Sequence, residues 1–471
     1  MSSKEALKVK IGFVPAHRQV FNEDWAIDMR KRCLKALSGI KNLELIVPDE
    51  KLTKKGLVRD EEDADKVIQL FDNERIAGII IGTMTFGEEI PVLKIADAFQ
   101  GCPVLLFATK EGPFTKDGNR LSDSFCGTLS VSSGLYRRKI PFLFAGIVFP
   151  EEKAFKEAAT NFVRVCSITE EFLGAKLGQV GPRPGPFETC IYNESALIQQ
   201  FGQRVIPITL VEIFSSANSL SEKDHEVQRV LKEVETRADV SGVKRESLMK
   251  IAKLECSLRK FAVENGISAM GIQCWTAMEE AYGICPCYAM GRLTDQGIMS
   301  SCEVDIYGAL TMLVQYLASL KSTPPHFIDW TIKHQDKENV FLAWHCGNAP
   351  PSLACEGCPV VVKYQSILGR TLGLDRSFGA GEFQLKPGPV TLCRLVEYDG
   401  EFKMLIAKGE IERSEQNLRG SWSWVRVPDL DSLYRTIVEE GFIHHASMIH
   451  GDYTRPIADA CKFLGIGPVV V

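Results

Sequence analysis

Residues 8–14, Lys-Val-Lys-Ile-Gly-Phe-Val, read as a buried strand, and the apolar positions that follow, Trp25, Met29, Cys33 and Leu37, recur at helical spacing. Strand-like runs return at residues 43–47, 77–81 and 103–107, each separated from the last by a helix-length segment rich in Lys, Asp and Glu. Strands alternating with helices predict a doubly wound parallel sheet, in which ligands gather at the carboxyl ends of the strands. The turn Gly82-Thr83-Met84-Thr85-Phe86-Gly87 occupies such an end.

The pattern restarts near 140, with a strand expected over 142–148 and a long helical run over 153–177. Gly181-Pro182-Arg183-Pro184-Gly185-Pro186 then breaks it before further α/β alternation to about residue 320. Beyond Pro324-Pro325 the stretches are short and alternating (340–344, 390–396, 402–407, 422–427), with a hairpin turn expected at Asp399-Gly400. The fold predicted is α/β: two doubly wound α/β domains, 1–138 (Rossmann-like) and 139–322, followed by a β-rich, barrel-like C-terminal domain, 323–471. A chain of 471 residues exceeds what one core usually supports.

Charge narrows the partner. Lys and Arg total 55 against 60 Asp and Glu, a formal balance of −5, which leaves no footprint for nucleic acid or an anionic membrane and points to a small molecule. The first residues, Met1-Ser2-Ser3-Lys4-Glu5, show no apolar signal region, and no stretch reaches about 18 consecutive apolar residues. The expectation is a cytoplasmic chain whose fifteen cysteines are reduced thiols, many of them small buried hydrophobes.

Six of the eight histidines fall in the last third, around Cys302-Glu303-Val304-Asp305, His326-Phe327-Ile328-Asp329, Trp344-His345-Cys346-Gly347 and His444-His445. Carboxylates with imidazoles are the donor set of a hard divalent ion. Each residue also has a plainer role. Glu303, just before an apolar helix, could cap it, with Asp305 as the competing cap that would free one acid. Asp329, set among apolar residues, could be satisfied by a nearby Lys. His345 ends a strand and opens a turn, where either display to a ligand or a bond to backbone suits it. Two acids beside clustered histidines tip the balance toward a metal. Cys355-Glu356-Gly357-Cys358 and Cys285-Pro286-Cys287 suggest zinc or redox chemistry, but a single CxxC without a second pair is a weak signal. No segment carries a dinucleotide or Walker fingerprint, so no nucleotide cofactor is expected.

Six segments taken in order resemble the L-fucose isomerase and L-arabinose isomerase superfamily: Gly181-Pro182-Arg183-Pro184-Gly185-Pro186-Phe187, Gly271-Ile272-Gln273-Cys274-Trp275, residues 297–305, Phe327-Ile328-Asp329, Ala343-Trp344-His345-Cys346-Gly347-Asn348 and Gly441-Phe442-Ile443-His444-His445. The likeness is closer to the L-fucose side. It implies a metal-dependent aldose–ketose isomerase working by enediol proton transfer, with Mn2+ or another divalent cation held by Glu303, Asp329 and His445. Glu303 and Asp329 would also be the catalytic acids. His345 matches a further ligand of the arabinose-type enzymes and in fucose-type enzymes would hydrogen-bond the sugar. Gln273, Trp275, Trp344 and Asn348 would bind substrate. So would His17 and Arg18, reaching from a neighbouring chain of a homo-oligomer, a hexamer or trimer. The chain is shorter than a typical L-fucose isomerase, and Val14-Pro15-Ala16-His17-Arg18 departs from that enzyme's usual start. A sulfonated aldose such as sulfoquinovose therefore stands as the alternative substrate, with Arg18 serving its anionic group. A metal-dependent lyase or epimerase, and a non-catalytic sugar-binding protein, are the rival readings.

Overall fold

A computed structural model describes residues 7–471. The chain is mixed α/β and divides into two compact units, one running up to Glu171 and including Lys462–Leu464, the other comprising Phe172–Cys461 and Gly465–Val471.

The first unit holds a parallel sheet of strands β1 (Val9–Ala16), β2 (Leu43–Ile46), β3 (Gly78–Thr83), β4 (Val104–Thr109) and β5 (Leu143–Val148), in the order β2-β1-β3-β4-β5. β3 and β4 are buried at every position. That is why they read as continuous apolar runs rather than alternating ones. The strand expected to open a second unit near 142 instead pairs in parallel with β4, Leu105 beside Leu143, as the edge of this first sheet. Its exposed Phe144 and Ile147 are consistent with an edge position.

The long helical run ends earlier than its apolar spacing suggests. The helix covers Lys153–Phe172, and Leu177 lies in a strand. Gly174, at a φ of 70°, breaks the run.

The second unit has two sheets. The smaller is parallel and contains β6 (Lys176–Val180), β7 (Arg204–Ile208), β8 (Ile267–Ile272) and β9 (Met299–Cys302), ordered β7-β6-β8-β9. The larger is mostly antiparallel: β10 (His326–Lys333), β11 (Val340–His345), β12 (Val361–Tyr364), β13 (Phe378–Gln384), β14 (Gly388–Tyr398), β15 (Glu401–Glu412), β16 (Ser421–Arg426), β17 (His445–His450) and β18 (Gly467–Val470). Their order is β12-β13-β16-β11-β10-β17-β14-β15-β18, and an additional β16–β15 pairing joins six of them into a closed ring. Closure removes the edges that an open antiparallel sheet would expose. Asp399-Gly400 forms the two-residue turn between β14 and β15, both residues at positive φ as a type I′ turn requires.

The buried helix Ile306–Ala318 packs on β8, β9, β14 and β17, linking the parallel sheet to the barrel. Gln315, inside that helix, donates from its amide to the carbonyls of Thr391 and Ser447 at 3.0 Å each and accepts from Ser447 Oγ at 2.6 Å. No helix among the described residues is long and apolar enough to cross a membrane.

Thirteen cysteines are free, whereas Cys355 and Cys358 are joined as a disulfide, contrary to the expectation of thiols throughout. The reason is local. A turn closed by the Cys358 N–H donating to the Cys355 carbonyl at 3.0 Å brings the two side chains together, so this is one short link and no framework.

Candidate functional site

The carboxyl end of β9 runs into a sharp turn. Glu303 and Val304 both adopt left-handed backbone angles, φ 53° and 57°, which costs non-glycine residues free energy and persists where the surroundings enforce it. Gly271 on the neighbouring strand makes room for it, since a Cβ there would sit 2.8 Å from the Val304 carbonyl carbon.

The turn separates the two acids by function. Asp305, not Glu303, caps the helix Ile306–Ala318, its Oδ1 accepting from the Gly308 N–H at 2.8 Å. Glu303, freed from capping, is buried with 5 % of its surface exposed.

Asp305 also receives a forked pair of hydrogen bonds from Arg394, one at 3.0 Å and a shorter one from Nη1 to Oδ2. It accepts a third partner in His445, whose Nδ1 lies 2.9 Å from Oδ2. Burial alone would raise its pKa, but Arg394 and His445 hold the Asp305 carboxyl well below the usual carboxylate range. An ionised carboxylate only accepts, so His445 Nδ1 carries a proton and Nε2 is the nitrogen turned to the rest of the cluster.

Nε2 faces two carboxyl oxygens, Glu303 Oε2 at 3.5 Å and Asp329 Oδ1 at 3.7 Å. Asp329 arrives there by strand register. It pairs directly across from His445 on β17 and from Trp344 on β11, a placement that brings side chains on one face together. His345, the last residue of β11, contributes a second nitrogen, the fourth donor. Ligand atoms of Glu303, His345 and His445 all lie within 4.8 Å of one another.

Glu303 Oε2, Asp329 Oδ1 and His345 Nδ1 are buried and accept no hydrogen bond from any described residue. Burial pushes Glu303 well above the ordinary carboxyl value, raises Asp329 to about 6, and drives His345 well below the usual imidazole range. Buried oxygens and nitrogens that converge without a hydrogen-bond partner are costly unless a proton or a cation satisfies them. Two carboxylate oxygens and imidazole nitrogens fit a hard or borderline divalent ion, and the Asp305–His445 hydrogen bond is the kind of outer support that orients a ligating imidazole.

Other sequence candidates surround this point unevenly. The Trp344 Nε1 donates to the Arg419 carbonyl at 2.6 Å while its ring lies stacked 6.3 Å from that of His345. Asn348 is buried, and Gln273 keeps a buried Oε1 without a partner. Trp275 meets Phe187 edge-on at 6.2 Å, and Phe187 in turn lies 6.4 Å from His444, whose ring is 4.0 Å from His445. His444, just before β17, does not turn away as strand alternation would predict: its ligand atom lies within 4.8 Å of those of Asp329 and His445.

The histidine grouping is looser than the sequence suggests. His326 is buried 3.2 Å from Ser421 Oγ, His334 meets Trp424 at a tilt with ring centroids 4.5 Å apart, and His450 donates to the Lys386 carbonyl. His17 and Arg18 belong to the first unit. There His17 is buried with Nδ1 2.9 Å from Thr85 Oγ1, and Arg18 lies 3.1 Å from Glu88 with its guanidinium over Phe86. Arg394 was missed altogether. Its signal was present, because an arginine in the middle of the apolar strand 390–396 must find a buried acid.

Comparison with known proteins completes the description. Residues 12–172 match the fucose/sulfoquinovose isomerase N-terminal domain, and residues 343–470 match the L-fucose isomerase C-terminal domain. A sulfoquinovose isomerase of Alkalicoccus urumqiensis is 27 % identical over 467 residues, covering 97 % of this chain and 98 % of that protein. One of Priestia aryabhattai is 26 % identical over 466 residues, 96 % and 97 % of the two chains. An L-arabinose isomerase of Enterobacter sp. (strain 638) is 23 % identical over 266 residues, 53 % of this chain and 51 % of that one.

Proposed function

Because the chain belongs to the L-fucose isomerase-like superfamily and is an isomerase of it, we propose that it interconverts a sulfonated aldose of the sulfoquinovose type with the corresponding 2-ketose, aided by a divalent cation. The observation that carries the metal-dependent reading is the convergence of Glu303 Oε2 and Asp329 Oδ1, both buried and without a hydrogen-bond partner among the described residues, on His445 Nε2. The choice of sugar is supported by the end-to-end likeness to sulfoquinovose isomerases, against about half the chain for the arabinose enzyme.

Manganese or another divalent ion, held by Glu303, Asp329 and His445, would draw together two neighbouring sugar oxygens and stabilise the negative charge of an enediolate. The protein's own groups do the rest. Of the two carboxyls, one takes the proton from C2 of the open-chain aldose and the other delivers a proton to C1. A carboxyl raised to about 6, as Asp329 is, can both accept and release a proton near neutrality. Asp305 and Arg394 keep His445 in one tautomer and one orientation. His345 serves as a further ligand or as a hydrogen-bond partner of the sugar, and Trp344, Asn348, Gln273 and Trp275 shape its seat. The proposal includes a homo-oligomer, a trimer or hexamer, in which His17 and Arg18 of one chain serve the site of another, Arg18 facing the sulfonate.

A panel of free aldoses including sulfoquinovose, L-fucose and L-arabinose, assayed with Mn2+ by ketose formation, tests the assignment. Sulfoquinovose is expected to give the highest kcat/KM. Turnover of L-fucose or L-arabinose at roughly ten times that value or more, a difference of about 1.4 kcal/mol in transition-state binding, would overturn the choice of substrate.

A further inference from the structure

Directly behind Glu303, on the side away from His445, lies a wall of buried thiols. Cys274 follows β8, Cys302 ends β9, and Cys285 and Cys287 lead into the helix Cys287–Asp295. All four are buried, none more than 5 % exposed. The Cys274 Sγ lies 3.5 Å from Cys302 Sγ and 3.7 Å from Glu303 Oε1, and Cys285 Sγ lies 3.0 Å from Cys287 Sγ. Cys287 and Cys302 also interact electrostatically, which relates the two thiol pairs.

A second observation points to a cation there. Glu279, 1 % exposed, has a buried Oε2 with no hydrogen-bond partner among the described residues, and its carboxyl interacts with Cys274 and Cys287. A buried carboxyl oxygen without a donor is costly unless a proton or a cation satisfies it.

We propose that this wall is a second metal site, built from Cys274 and Cys302 with Glu303 Oε1 and backed by Cys287, Cys285 and Glu279, that takes a thiophilic d10 ion such as zinc. The ligand atoms of Cys274, Cys302 and Glu303 lie within 4.8 Å of one another, near enough to share one ion. Thiolate sulfur selects zinc and its soft relatives over magnesium or manganese. Binding replaces the two thiol protons with the metal and releases them to solvent.

Glu303 is thereby shared. Its Oε2 faces His445 and Asp329 while its Oε1 faces the thiols. An ion on the sulfur side fixes the carboxyl and withdraws it from proton transfer, so thiophilic ions inhibit without displacing manganese. The site itself is independent of which sugar the enzyme takes.

The test uses reduced, full-length protein saturated with magnesium and titrated with Cd2+. A thiolate-to-cadmium charge-transfer absorption saturating at about one equivalent per chain is expected. It persists in Cys355→Ser/Cys358→Ser and is lost in Cys274→Ser/Cys302→Ser. An unchanged band in the second variant, or its loss in the first, overturns the proposal. Should the second variant fail to fold, X-ray absorption of zinc-loaded Cys355→Ser/Cys358→Ser protein decides. A sulfur shell at about 2.3 Å supports the site, and nitrogen and oxygen alone at about 2.0–2.1 Å refute it. Neither measurement reads isomerase activity, so failure of the substrate assignment and failure of this site are separately visible.

Discussion

Replacing Asp305 by Asn tests whether the site is held from behind. The substitution preserves shape and the helix cap, because the Asn oxygen can still accept from the Gly308 N–H. It removes the charge. Arg394 and Asp305 are each 1 % exposed, so the guanidinium is left buried without a counter-charge, a situation that costs about 3–5 kcal/mol. His445 loses its ionised acceptor, and loss of such an outer partner lowers metal affinity by about 10–100-fold. Asp305→Ala should cost about 1 kcal/mol more through the lost cap. Adding Arg394→Met to Asp305→Asn should recover much of the stability by removing the stranded charge, but none of the metal affinity.

Urea unfolding read by tryptophan fluorescence reports on the right unit, since Trp330, Trp344, Trp422 and Trp424 lie in barrel strands. Calorimetric titration with Mn2+ gives the affinity. An Asp305→Asn protein within about 1 kcal/mol of the wild type, with unchanged manganese affinity, would refute the reasoning.

Glu303→Gln should abolish turnover while leaving the urea midpoint near that of the wild type, because the residue caps nothing; measurable turnover at saturating Mn2+ would remove it from the proton path. Isomerisation in D2O should place deuterium at C1 of the ketose, and complete retention of the original hydrogen would indicate a hydride shift and leave both acids as ligands only. Arg18→Ala should raise KM or lower kcat without changing metal content, and wild-type activity should fall on dilution; a fully active monomer by sedimentation would contradict the shared site. Burial lowers His17 to about 4 against an ordinary 6.5, outweighing the opposing effect of Glu23. Between those values the unfolded chain binds more protons, so the contribution is present above pH 6.5 and lost as pH falls toward 4. His17→Gln should flatten the drop in urea midpoint between pH 7 and pH 5, and an identical drop would show that His17 does not carry it.

Much of this architecture was legible where local pattern and tertiary role coincide. Residues 77–81 and 103–107 are apolar because both faces of a parallel strand are covered, and the hairpin at Asp399-Gly400 is written in two residues that tolerate positive φ. Residues 142–148 were recognisable as a strand, but their sheet was not, since pairing with β4 depends on contacts across 38 or more positions that no local window contains. The same holds at the site. That one of Glu303 and Asp305 caps the helix follows from their place before it, but which one does is decided by the left-handed turn and by Arg394, 89 residues away from Asp305. The thiol wall joins residues from three elements, so only the spacing of Cys285-Pro286-Cys287 hinted at it.

The Gln315 brace bears on how this chain can change over time. Its amide ties Thr391 on β14 to Ser447 on β17 and thereby holds the register of the strand that begins at His445. A slip of that strand by one residue would carry His445 off the position across from Asp329. Insertions and deletions can accumulate in the Asp399-Gly400 turn without touching the site, whereas a single deletion between Gly441 and His445 would have to be absorbed before the strand begins or it would displace the ligand. Drift in length is therefore tolerated on one side of the barrel and filtered on the other.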